Sequence, residues 1–226
     1  MRDACQAREM AAVIHRRLQS LAVKNTPNVR GVRRSSSQAL RREDGHFVLE
    51  VARELRRWHG YRSVPYELIL AHRDAFSLLD EQELEELGRG LDSWWSVDSF
   101  ARTLSGPAWL EGLIGDEVII RWARSPDKWW RRAALVSTVA LNVRSRGGTG
   151  DVPRTLGICE LLIDDHDDMI EKALSWALRE LVVHDAMAVS DFIARHEARL
   201  GSRVKREVGN KLMTGLKAPR RRRARG

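Results

Sequence analysis

The sequence predicts an all-α chain in which helical pairs stack into a solenoid. Three observations carry this. Apolar residues recur at helical spacing through most of the 226 residues. No segment sustains the period-two alternation of a half-buried strand. The segments that combine Trp, Asp and Arg recur at 34 residues (Asp98 to Arg132) and 44 residues (Arg132 to Trp176), close to the ~40–47 of HEAT-type repeats.

The first element is a charged amphipathic helix over 2–24, with Met10, Val13, Ile14, Leu18 and Leu21 at helical spacing. Residues 25–37, with Pro27, Gly31 and Ser35-Ser36-Ser37, read as a loop. Helical patterns follow at about 46–59, 64–74, 80–89, 92–104, 107–124, 127–144, 153–163, 168–183, 186–199 and 203–216, the fifth with a weak point at Gly115. Between them stand the breakers Gly60, Pro65, Gly90, Gly106-Pro107, Ser125-Pro126, Gly147-Gly148 with Pro153, and Gly201. Asp127 and Asp151 are placed to cap helix N-termini with their carboxylates. One domain over 1–216 is expected, followed by a basic, disordered tail at 217–226. If the pairs stack, the second helix of each lines a concave groove able to embrace a rod such as a DNA duplex.

Composition narrows the class. Hydrophobic residues at 43% and charged residues at 31% fit a soluble globular protein with a core of its own. No apolar run approaches the ~20 residues that span a bilayer, so no membrane role is expected. The mixed charges of the first twenty residues do not make a signal peptide. Cys5 and Cys159 form no disulfide framework, and the expected compartment is the reducing cytoplasm. Of the formal net charge of +8, six charges are Lys217, Arg220, Arg221, Arg222, Arg223 and Arg225, which leaves the body near +2. Within the body the charge is segregated. Residues 16–62 carry twelve Lys/Arg against four Asp/Glu, and residues 79–100 carry seven Asp/Glu against one Arg. The basic half suits a phosphate backbone. Its Arg16-Arg17, Arg30, Arg33, Arg34 and Arg41-Arg42 serve equally well as duplex contacts or as a solvated face.

The most informative segment is Trp94-Trp95-Ser96-Val97-Asp98. On a helix, Trp94 and Asp98 are four residues apart and share a face, which puts an indole beside a carboxylate. Two later segments, Trp129-Trp130-Arg131-Arg132-Ala133-Ala134 and Lys172-Ala173-Leu174-Ser175-Trp176-Ala177-Leu178-Arg179-Glu180, can add a guanidinium and a second indole. Trp95, Trp58, Trp109, Trp122, Trp129 and Trp130 are expected to be packing residues, and Arg131 a salt-bridging one. The run Asp164-Asp165-His166-Asp167-Asp168 is expected to cap the next helix, not to bind metal. No HExxH, Walker loop, GxGxxG or nucleophile elbow is present, so no metal and no cofactor are expected.

These motifs resemble the AlkD-like DNA glycosylases, the HEAT-like-repeat DNA alkylation repair proteins. That family carries Trp-x-x-Val-Asp, Trp-x-x-Arg-Ala-Ala and Lys-Ala-x-x-Trp-x-Leu-Arg-Glu in this order, met here at Trp94 and Asp98, at Arg132, and at Trp176. The resemblance runs from about 85 to 183 and more loosely to 212. Residues 1–79 are divergent, with only Thr26-Pro27 and the basic residues after it fitting the pattern. It implies a monomer that binds double-stranded DNA carrying alkylated bases and hydrolyses the N-glycosidic bond of cationic N3- or N7-alkylated purines. It also implies that the lesion is read from the backbone side, without a base-flipping pocket. Asp98 would stabilise the oxocarbenium-like deoxyribose, Trp94 and Trp176 would pack against the sugar, and Arg132 would hold a phosphate. The alternatives are a noncatalytic HEAT-repeat protein that binds damaged or branched DNA, and a protein-binding scaffold. A scaffold has no need of an acid, indoles and an arginine in this set.

Overall fold

The computed structural model describes residues 4–59 and 63–218, side chains 58 and 59 excepted, and these are all-helical with no strand among them. The packing expected of Trp58 and the disorder expected of the tail beyond Ala218 therefore lie outside the described residues. The chain divides into two compact units, Met1–Ile114 and Gly115–Gly226.

The first unit opens with α1 (Ala4–Gln19), α2 (Thr26–Leu40), α3 (Gly45–His59) and α4 (Ser63–Leu70). The short α5 (Arg73–Ser77) and α6 (Glu81–Gly88) lead into α7 (Trp94–Phe100), a π-helical turn over Ala101–Ser105, and α8 (Gly106–Leu110). Helix α1 packs on α3, α3 on α4 and α5, and α4 on both α2 and α7. The stripe that α1 buries is Ala7, Ala11, Ile14 and Leu18, at spacings of four and three, while Val13 faces outward.

Two expectations in this unit are corrected. Residues 25–37, read as a loop, instead supply the N-cap and most of α2, which runs from Thr26 to Leu40. Asn25 caps it by accepting the Asn28 N–H at 3.0 Å, and Pro27 sits in the first turn, where its missing N–H costs nothing. The serines are tolerated because Ser35 returns its hydroxyl to the Val32 carbonyl at 2.9 Å, and Val32, Ser36 and Leu40 bury one face. Burial thus overrides weak propensity. Gly106-Pro107, read as a break, lies inside a continuous helical run from Trp94 to Leu110. Proline in a helix clashes with the carbonyl four residues before it. The π turn ahead of it widens the backbone, and Gly106 N–H reaches Ala101 O instead of the usual α partner. The real break follows at Gly112, whose φ of +75° only glycine adopts cheaply.

The second unit holds α9 (Asp116–Ala123), α10 (Lys128–Asn142), α11 (Val152–Leu161), α12 (Asp168–Leu181), α13 (Ala186–Arg195) and α14 (Ser202–Thr214). Each helix packs on the next, and in addition α9 meets α11, α10 meets α12, and α12 meets α14. That is the local packing of stacked helical pairs, the repeat unit of an α-solenoid. Four successive helices start on an aspartate. Asp127, Asp151, Asp167 and Asp185 accept the N–H of Trp129, Arg154, Met169 and Ala188 at 2.8, 3.0, 2.8 and 2.8 Å. Each cap contributes about 1 kcal/mol. The capping expected of Asp127, Asp151 and the acidic run is met.

The rest of that acidic run joins neighbouring repeats by ion pairs. Asp165 pairs with Arg131 at 2.7 Å, Asp164 with Arg199 at 2.6 Å, and Asp168 with both Lys172 at 2.6 Å and Arg203 at 2.7 Å. The Arg199 hydrogen bond holds the Asp164 carboxyl below its ordinary range, and the Lys172 hydrogen bond does the same for Asp168. Arg131 is the salt-bridging residue expected of it, and it also donates to the Ser125 and Pro126 carbonyls at 3.0 and 2.9 Å.

Candidate functional site

Helix α7 is short, so its first turn depends on its cap. Ser93 accepts the Ser96 N–H at 3.4 Å, and Ser96 Oγ accepts the Ser93 N–H at 3.2 Å, a reciprocal capping box. Ser96 is fully buried there. Val97, Phe100, Ala101 and Leu104, all at 0% exposure, seat the helix in the core of the first unit. Phe100 meets the Tyr66 ring edge-on at 5.6 Å, and the Tyr66 hydroxyl donates to the Leu87 carbonyl at 3.0 Å. The cap thus fixes the start of α7, and the Tyr66 ring fixes its end.

On this seat Trp94 and Asp98 lie one turn apart. Trp94, at the first helical position, extends past the core and is 54% exposed, while Asp98 is half-buried. Trp95 is 50% exposed, which corrects the expectation that it packs. Its position is about 200° around the helix from Val97, so when Val97 turns inward Trp95 must turn out. For an apolar ring of that size, such exposure is uncommon.

In the second unit the structure puts Arg132 and Trp176 on α10 and α12, two helices that pack directly together. Arg132 is only 4% exposed, and its guanidinium donates to the Met169 carbonyl at the start of α12. Trp176 is half-buried, with its indole N–H donated to Glu180 Oε1 at 2.9 Å. Glu180 fixes the plane of that ring. The spacing of four residues made this partner legible in the sequence, although only the indole was singled out. Of the packing tryptophans, Trp109 and Trp122 are buried, and Trp122 lies 4.7 Å from the half-buried Trp130 between ring centres. Trp129 carries the Lys128 ammonium 5.0 Å above its ring.

Beside Trp176, Ser175 and Arg179 of the same motif join a polar network centred on the buried Glu207. Ser175 donates to Glu207 Oε2 at 2.7 Å, Arg179 donates to Ser175 Oγ at 3.2 Å, and Lys217 stands 3.3 Å from Glu207. Burial alone would raise the Glu207 carboxyl, but the Ser175 hydrogen bond and the Lys217 and Arg179 charges outweigh it and hold it below the ordinary range. Burial also weakens the hold of Arg179 on its proton, against the nearby Glu207 and Glu180. A depressed carboxyl stabilises the fold above the unfolded value of about 4.3 and loses that contribution as pH falls through the folded value. Thermal melts from pH 7 down to pH 3 are therefore expected to fall less steeply below about pH 4.3 in Glu207→Gln than in the parent chain.

Among the described residues no group of His, Cys, Asp and Glu is arranged to hold a metal, and no helix is long and apolar enough to cross a membrane. Burial raises the Cys159 thiol well above its ordinary range, which removes it as a nucleophile.

An all-helical chain of stacked pairs, with an exposed indole and a carboxylate on one helix and an anchored arginine and a second indole on two others, belongs to the class of helical-repeat proteins. The family model described as DNA alkylation repair enzyme matches residues 1–212. The chain belongs to that family, the AlkD-like one, and so is a DNA-binding enzyme of DNA repair. The match takes in residues 1–79, where the motifs were weakest. No match was found among curated proteins or among solved structures.

Proposed function

We propose that the chain is a monomeric DNA glycosylase that releases cationic N3- or N7-alkylated purines from duplex DNA. The observation that carries this reading is the pairing on α7 of an exposed indole, Trp94, with the half-buried carboxylate of Asp98 one turn on. Membership in a DNA alkylation repair family supports it.

Alkylation at N3 or N7 places a positive charge on the purine and weakens its bond to C1′. As that bond breaks, its electron pair goes to the base, which leaves neutral and needs no proton. One carboxylate therefore suffices, where enzymes that cleave sugar–oxygen bonds need a second group to protonate the leaving oxygen. Asp98 stabilises the positive charge that develops on the deoxyribose, orients a water toward C1′, and takes its proton as the new C–O bond forms. The faces of Trp94 and Trp176 pack against the sugar, and their quadrupoles favour the cation over the neutral ground state. Arg132, whose guanidinium donates to the Met169 carbonyl, is the residue that holds a phosphate near the lesion. Lability and charge of the lesion, not a base-shaped pocket, then set which lesions react.

The test is release of free base from a duplex with a single N7-methylguanine, with binding to the same duplex measured alongside. Release at a rate above the protein-free control is expected. Binding without release would sink the glycosylase reading and leave a noncatalytic DNA binder.

A further inference from the structure

The outward turn of Trp95 opens onto a cavity of about 310 Å³ within the first unit, between the start of α2, the start of α4 and the outer face of α7. Its walls include Lys24, Arg30, Arg33, Glu67, Trp95 and Ser99. The volume is at the lower end for a small-molecule site, enough for one nucleobase and its sugar. The charges are not balanced. Arg33 is neutralised by Glu67, whose carboxylate lies 2.9 Å from it, and the Lys24 ammonium donates only to the neutral Gln19 amide. Arg30 is exposed and has no carboxylate partner among the described residues. The cavity therefore offers a flat aromatic wall, a serine hydroxyl and two uncompensated cations at its mouth.

That combination selects a ligand that is aromatic on one side and anionic on the other. We propose that this cavity binds one unstacked nucleotide of the DNA, its base against the Trp95 indole and its phosphate between Arg30 and Lys24. Stacking on an exposed indole is indifferent to base identity, because every base has a π face. The cations act on the backbone and add affinity that falls with salt. Trp95 is one residue on from Trp94 and about 100° around the same helix. A strand passing over Trp94 thus has a second indole within a nucleotide's reach, on the flank of α7 that carries Ser99 into the cavity wall and lies about 60° beyond Asp98. The proposal rests on DNA binding by this chain and does not require that Asp98 be catalytic.

The test compares binding of a fully paired duplex with binding of the same duplex carrying a single-nucleotide bulge of 2-aminopurine. The full chain is expected to bind the bulged duplex about tenfold more tightly and to quench the 2-aminopurine fluorescence. Trp95→Ala is expected to bind both duplexes alike and to lose the quenching, while Trp95→Phe retains most of both. Arg30→Ala is expected to weaken both duplexes and to lower the salt slope by about one. Paired and bulged duplexes bound equally by the parent chain, or an undiminished preference in Trp95→Ala, would overturn the nucleotide site and leave DNA binding standing. Failure of the parent chain to bind either duplex would overturn the DNA reading with it. Base release from N7-methylguanine DNA at the parent rate in Trp95→Ala is expected, which separates this site from Asp98.

Discussion

Asp98→Asn is expected to slow release of N7-methylguanine by about 10²–10³-fold, with duplex binding changed little. The magnitude is that of removing one preorganised group from a developing charge. Asparagine keeps the size of the side chain and much of its hydrogen bonding, so the fold should not pay for the change. What is lost is a full negative charge beside the sugar and a proton acceptor for the water. Because the loss falls on the transition state, single-turnover kcat should drop while the duplex Kd holds. Equal release by both proteins would show that another group carries the chemistry. An equal loss of binding and rate would show that Asp98 acts on the fold of α7.

Trp109→Ala is expected to cost about 3–5 kcal/mol of stability, the usual result of emptying a buried aromatic site. Trp109 is 1% exposed and stands on α8, at the far end of the same helical run that carries Trp94 and Asp98. Urea unfolding followed by far-UV circular dichroism should show the midpoint fall with little change in m-value. Trp109→Phe, which refills most of the space, should recover most of the loss. A midpoint shift below about 1 kcal/mol for the alanine variant would contradict the assignment of Trp109 to the core.

Much of the fold was legible because it is periodic. The helices from α9 to α14 fall within a few residues of where apolar spacing and the Asp and Pro signals place them. What escaped were the places where tertiary burial overrules local chemistry. In α2 a proline, a glycine and three serines spell a loop, yet the helix forms because Asn25 caps it and Val32, Ser36 and Leu40 find a core. At Gly106-Pro107 no propensity announces that a π turn will absorb the proline ring. The candidate site divides in the same way. Trp94 and Asp98 share a face by arithmetic alone, and Glu180 could have been found from Trp176 by the same rule. Trp95 escaped because its direction depends on which face of α7 is buried, and that is set by Val97 and Phe100 meeting another helix. Glu207 and the burial of Arg132 rest on contacts across 32 and 37 residues, for which no local pattern exists.

Apart from Asp168–Lys172 within α12, three ion pairs of the acidic run span nearly constant intervals of chain. Arg131 and Asp165 are 34 residues apart, Asp164 and Arg199 are 35, and Asp168 and Arg203 are 35. Each therefore bridges one repeat to the next and none closes a repeat on itself. In a linear array, stability is the sum of what each unit holds alone and what it gains from its neighbours. These ion pairs contribute only to the second part, and salt weakens the more exposed Asp164–Arg199 and Asp168–Arg203 pairs while leaving the apolar core untouched. Ionic strength thus acts on this unit as a dial of cooperativity. It tunes how far a local opening spreads along the stack, with little effect on how firmly any single helical pair is folded.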